Sequence, residues 1–141
     1  MTKKRAKQTR HGRKQSSVKA ARIQEPVSSN HLCPAWKIES FDTNGPWGRE
    51  KVEDEHVWEH IFTKLRSYES MTWGQIEGDR NYNHSVRVGD LIKEARDRLE
   101  LLKLDDVTSL FRLRLSGPQR VWGIRTRNIF RIVFWDPEHE I

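Results

Sequence analysis

The chain has almost no cysteine: Cys33 stands alone among 141 residues. One thiol excludes an internal disulfide framework and points to a reducing compartment. No apolar run approaches the roughly 20 residues that a membrane span needs. No apolar segment follows the basic start either, so no secretory signal is expected. Acidic residues are missing from positions 1–22, a stretch that holds nine Lys or Arg. Aromatics are missing there too. That removes base stacking as a way for this stretch to grip nucleic acid and leaves phosphate as its natural contact. These absences lead to the expectation of a soluble, cytoplasmic protein with no membrane partner.

What is present is charge, unevenly placed. Lys and Arg number 26 against 20 Asp and Glu; taking away the nine of residues 1–22 leaves 17 against 20. The basic excess therefore belongs to the N-terminus and not to the remainder. Lys3, Lys4, Arg5, Arg10, Arg13 and Lys14 are candidates for nucleic-acid contact, since such a segment binds polyanions by releasing counterions. The plainer reading is a solubilising tail that balances an acidic domain. With like charges and little to bury, the tail is expected to be disordered. Glu25-Pro26, Ser28-Ser29 and Cys33-Pro34 read as a linker. Residues 1–34 are thus expected to be tail and linker, and residues 35–141 a single α+β domain.

Within that domain, Trp36 to Phe41 has the spaced apolar residues of a first strand. Val57, Trp58, Ile61, Phe62 and Leu65 make a helical stripe at ~100° per residue. Met71 to Ile76 suggests a short turn or helix, and Glu77 to Asn83 a polar loop. The strongest helix is expected from Asp90 to Lys103, with Leu91, Ile92, Ala95, Leu99 and Leu102 on one face. Asp90 suits its N-cap, and Glu94 and Arg98 suit an i,i+4 pair. The final third reads as three strands, Leu110–Leu115, Arg120–Arg125 and Ile129–Trp135, joined by turns short enough for an antiparallel meander. Two main helices followed by consecutive strands imply helices packed on one face of that meander.

Three constellations could carry chemistry. His56-Val57-Trp58-Glu59-His60 matches the H-x-x-E-H pattern of zinc proteases. At helical spacing, though, the apolar stripe lies opposite His56 and His60, so both are expected to face solvent and zinc hydrolysis is a minor alternative. Arg112 and Arg114 alternate with Phe111, Leu113 and Leu115, and Arg120 and Arg125 lie on the next strand. Guanidinium forks suit phosphate, and with Trp122 and Trp135 between them they would make a nucleic-acid surface. The plainer reading is the polar face of a half-buried sheet. Last, His84 in a polar loop, with His139 and Glu138 after the final strand, could supply the acid and base for cleavage by the RNA's own 2′-hydroxyl. Such chemistry needs neither metal nor cofactor. Glu138 and Glu140 flank His139 and are expected to favour its protonated form.

The run L-F-R-L-R-L-S-G-P-Q-R-V-W-G-I-R-T-R-N-I-F-R-I-V-F-W-D-P-E-H-E-I, preceded by a long helix, resembles the helix and meander of RelE/ParE-type toxins. The similarity covers residues 88–141. The run also resembles short bacterial and mobile-element proteins ending in W-D-P-x-H. The toxin resemblance implies an endoribonuclease fold whose sheet arginines, here Arg112, Arg114 and Arg120, hold RNA. It also implies a terminal-strand basic residue, here His139, that assists cleavage, and a cognate antitoxin partner. The leading expectation is a RelE-like toxin-type endoribonuclease acting on RNA. The alternative is a non-enzymatic nucleic-acid-binding or accessory protein of a mobile element.

Overall fold

Alternation of arginine with large apolar residues in the last third of the chain builds the centre of a five-stranded sheet. The computed structural model describes residues 28–79 and 81–141. Its strands are β1 (Ala35–Lys37), β2 (His84–Arg87), β3 (Ser109–Arg114), β4 (Arg120–Thr126) and β5 (Ile129–Asp136), in the order β1-β5-β4-β3-β2. The meander β3-β4-β5 is antiparallel as expected, β2 adds antiparallel to β3, and β1 lies parallel to β5. The class is α+β.

Among the described residues three α-helices cover the sheet: α1 (Phe62–Tyr68), α2 (Trp73–Glu77) and α3 (Lys93–Leu101). They do not share one sheet face as expected. Leu65 and Tyr68 of α1 and Trp73 and Ile76 of α2 pack with Phe111, Leu113, Val121, Phe130 and Trp135. Ala95 and Leu99 of α3 pack with Leu110, Trp122, Val133 and Phe134 on the other side. Both sheet faces are apolar at the centre, so both need cover.

Local windings differ from the expected ones for physical reasons. His56–Ile61 is a π-helix that runs into α1, with the Phe62 N–H donating to the Val57 carbonyl, i to i+5. The wider turn rotates the stripe expected at 3.6 residues per turn. Trp58 and Phe62 emerge 67% and 54% exposed, while His56 turns inward, its ring 5.5 Å from that of Trp135. Asp90 ends a 3-10 turn, Val88–Asp90, and Ile92 takes the N-cap position of α3 without a side-chain hydrogen bond. Arg98 bypasses Glu94 for Asp42, donating from Nε at 2.8 Å and Nη2 at 2.7 Å. The i,i+4 pair on α3 is Lys93–Asp97 instead. Asp42 is 2% exposed, and its own N–H donates to Val133, so the loop after β1 is tied to both β5 and α3. Residues 29–33, expected as linker, also dock: the carbonyls of Asn30 and Leu32 accept from Gly74 and Trp73 at the start of α2.

One irregularity sets which residues of β5 face which way. The register shifts between Trp122 and Gly123: Trp122 pairs with Phe134 but Gly123 with Ile132. The extra residue is a bulge, which reverses the alternation beyond it. Ile132 therefore packs on the α1–α2 side, and both Val133 and Phe134 on the α3 side. Gly123 permits it, because a Cβ there would lie 2.3 Å from the Arg131 carbonyl oxygen and 2.5 Å from the Phe130 ring. Gly123→Ala should cost about 1–3 kcal/mol, the usual range for overpacking, measured by denaturant unfolding. Gly89→Ala, with nothing within 4 Å of the added carbon, should leave the midpoint unchanged.

Candidate functional site

The sheet register lays down two adjacent ranks of polar residues on the α3 side. In one, His84 of β2 lies opposite Arg112 of β3, which lies opposite Trp122 of β4. In the other, Arg114 lies opposite Arg120, which lies opposite Asp136 of β5. Like charges directly opposite repel, so Arg114 and Arg120 are adjacent at a cost. Asp136 is the carboxylate that offsets it.

Arg112 is the hub. Its Nη2 donates to His84 Nε2 at 2.8 Å and its Nη1 to His139 Nε2 at 3.1 Å. A guanidinium has no acceptor, so both imidazole nitrogens must offer lone pairs. His84 is suited to this, since its Nδ1 lies 3.1 Å from the Ser85 carbonyl and donates its proton there. Further donation from Arg112 to the carbonyls of Tyr82 and Asn81 fixes residues 81–82 before β2. Arg112 also lies over the Trp122 ring, 6.0 Å from its centroid.

Asp136 is fully buried, and its oxygens are all engaged. Oδ2 accepts from Trp122 Nε1 at 3.2 Å and from the Ile141 N–H at 3.0 Å; Oδ1 accepts from the Glu140 N–H at 2.9 Å. Those bonds fold the chain after β5 back over the sheet end and hold His139 at φ +58°. On its far side Glu140 is bonded by Lys51 and by Trp47 Nε1. The strap thus fixes His139 from both sides while its ring stays at the surface.

His139 corrects one expectation. Burial, then Arg120 and Arg112, lower its pKa from the ordinary 6.5, with only Asp136 opposing. Its sequence neighbours do not hold the proton: Glu140 is turned to Lys51, and Glu138 lines a depression with Lys51, His56 and Gln119. Glu138 is therefore not part of the cluster, and His139 is suited to act as a base and not as an acid. Burial likewise lowers Arg112 and Arg120 from the ordinary guanidinium range. Arg120 is 6% exposed, and its Nε has no partner among the described residues. Among the described residues the cluster thus holds the guanidiniums of Arg112, Arg114 and Arg120 against a single carboxylate already saturated with hydrogen bonds; Arg114 and Arg120 otherwise donate to neutral turn carbonyls, of Gly117 for both and of Gln119 for Arg120.

Other expected site residues lie elsewhere. Arg125 falls at an odd offset from Arg120 and projects from the opposite sheet face. There it stacks 4.4 Å from the Trp73 centroid, pairs with Glu77 and bonds Ser29 and Asn30, a structural role. Trp135 also lies on that opposite side, leaving only Trp122 beside the arginines. His84, expected in a loop, starts β2. His56 and His60 do not both face outward: both are half-buried, with ring centroids 6.0 Å apart. No group of three or more His, Cys, Asp or Glu that could hold a metal ion occurs among the described residues. The candidates Lys3, Lys4, Arg5, Arg10, Arg13 and Lys14 lie outside the described residues.

Asp136 and Tyr82 carry no sequence signal that singles them out. Asp136 reads there only as the residue before the proline that ends β5. Tyr82 reads as one polar-loop residue among several, yet its ring receives the Arg114 guanidinium at 4.2 Å from its centroid.

The direction of the His139 shift is measurable. Its NMR titration midpoint should fall below 6.5, and Arg112→Ala should raise it by removing a neighbouring cation. By linkage, an unfolded chain takes up this proton first as pH falls through 6.5. The His139 contribution should therefore lower stability below that pH, and His139→Gln should remove that part of the slope. No family model, curated protein or solved structure matches this chain.

Proposed function

We propose that this is a nucleic-acid-acting protein of RelE-like architecture, and that its activity is metal-independent cleavage of RNA by a toxin-type endoribonuclease held in check by a cognate antitoxin. The observation that supports it most is the bridge from His84 through Arg112 to His139, beside Arg114 and the orphaned Nε of Arg120. It combines cations for a phosphate with two imidazoles on either side of them. The resemblance of residues 88–141 to RelE-type toxins supports the same reading.

The chemistry follows from the side chains. A phosphodiester would accept from Arg112, Arg114 and Arg120, drawing the Arg112 fork off the imidazoles and freeing the lone pair of His139. His139 Nε2 then takes the proton of the adjacent 2′-hydroxyl, and the 2′-oxygen attacks phosphorus. The guanidiniums balance the added charge of the pentacoordinate state. The P–O5′ bond breaks, giving a 2′,3′-cyclic phosphate and a 5′-oxygen that takes a proton from His84. That proton comes from solvent, taken up at His84 Nε2 once the Arg112 fork has moved to the phosphate.

A second reading has its own support. In the unliganded cluster both imidazole lone pairs are committed to Arg112, which binding without chemistry tolerates and catalysis must undo. This is the non-enzymatic nucleic-acid-binding or accessory protein.

Purified protein incubated with single-stranded RNA separates the two. Cleavage to cyclic-phosphate ends is expected from wild type. His139→Ala should slow it by about 100-fold or more, the usual worth of a general base, with binding retained. Arg112→Ala should abolish both. Intact RNA with tight binding by wild type would favour the binder, and intact RNA without binding would remove both readings.

The N-terminal cations are proposed to neutralise further phosphates with low sequence preference. Deleting residues 1–22 should flatten the plot of log affinity against log salt concentration, by about 0.7 for each single-strand phosphate that these cations neutralise. An unchanged slope would assign them no part in binding.

A further inference from the structure

We infer that Tyr82 and Arg114 form a stacking platform for an unpaired nucleobase, which makes the substrate a single-stranded nucleic acid. This rests on the nucleic-acid reading above and narrows it. Tyr82 is 37% exposed, and its ring stands against the Arg114 guanidinium at 4.2 Å from the ring centroid. The side chain is exposed but the backbone beneath it is not free. The N–H groups of Tyr82 and Asn83 both donate to the Asp79 carbonyl. The carbonyls of Asn81 and Tyr82 accept from Arg112.

Asn83, 5% exposed, locks the next position. Its Nδ2 donates to Ile76 and its Oδ1 accepts from the Arg114 N–H at 2.9 Å. An aromatic ring presented to solvent on a loop held this tightly loses little entropy when a flat ligand stacks on it. Every base has a π face, and a guanidinium plane beside an aromatic ring accepts one without reading its edge.

The placement sets the geometry of the ligand. The guanidinium that holds the loop, Arg112, is the one proposed to take the phosphate. The one that backs the ring, Arg114, is two residues along the same strand face. A base on the platform and a phosphate at Arg112 and Arg120 would belong to the same or adjacent nucleotides. A duplex buries its base faces in its own stack and has none to offer here.

Binding of the full chain to two RNA oligonucleotides of equal length at one fixed salt concentration tests this, one bearing bases and one abasic. Wild type should prefer the base-bearing strand by about ten-fold or more, the usual worth of one stacked base. Tyr82→Phe should keep that preference and Tyr82→Leu should abolish it. Thermal unfolding of both variants would show that the fold is kept. Equal binding of the two strands by wild type, or a preference that survives in a folded Tyr82→Leu, would overturn the platform and leave the phosphate site standing. Failure to bind either strand would overturn both.

Discussion

The candidate site hangs on one buried carboxylate. Asp136 is completely shielded from water, which is tolerable only because hydrogen bonds from Trp122, Glu140 and Ile141 satisfy its oxygens. Those same bonds join the core of the α3 side to the strap that carries His139. Asp136 faces this way because of the bulge opposite Gly123. Without the extra residue, the alternation along β5 would place Asp136 with the α1–α2 core and leave Arg114 and Arg120 with no counter-charge. A single backbone irregularity therefore decides whether the arginine ranks can exist.

The second organising element is a guanidinium used as a clamp. Arg112 reaches two imidazoles and two loop carbonyls, so β2, residues 81–82 and the C-terminal strap meet on one side chain. Lysine could not replace it, since an ammonium lacks the flat fork that serves several directions at once. The arrangement holds both histidines in the form that offers a lone pair. That is the opposite of what the acidic neighbours of His139 suggest on paper. In space, Glu140 belongs to Lys51 and Trp47, and proximity in sequence says little about which charge a ring feels.

Much of the scaffold is legible in the chain alone. The alternation of Phe111, Leu113 and Leu115 with Arg112 and Arg114, and the short turns after them, locates the meander, and the Leu91–Ala95–Leu99 stripe locates α3. Features that depend on tertiary pairing are not legible. β2 has one apolar residue, Val86, and is a strand because β3 offers it an edge. The π turn at His56 leaves no mark in a 3.6-residue pattern, so Trp58 and Phe62 of the stripe emerge and His56 turns inward, while Ile61 and Leu65 stay on the core. At the site, Arg112, Arg114, Arg120 and His139 are identifiable by type and spacing. The side on which Trp135 lies is hidden by the bulge. Arg125, at an odd offset along a regular strand, could have been set apart by parity alone.

The pairing of β1 has a consequence for how the chain acquires this shape. β1 is parallel to β5, and Asn128, in the turn just before β5, donates to the Cys33 carbonyl, 95 residues away in sequence. During synthesis β1 emerges first, yet its neighbour in the sheet emerges last. The meander and α3 can form from contacts near in sequence, whereas β1 must wait for β5. Closing so long a loop gains nothing until its ends meet, which slows folding of topologies that depend on it. Until then β5 has an open, strongly apolar edge, and the nascent chain passes through a stage in which that edge is available to other strands.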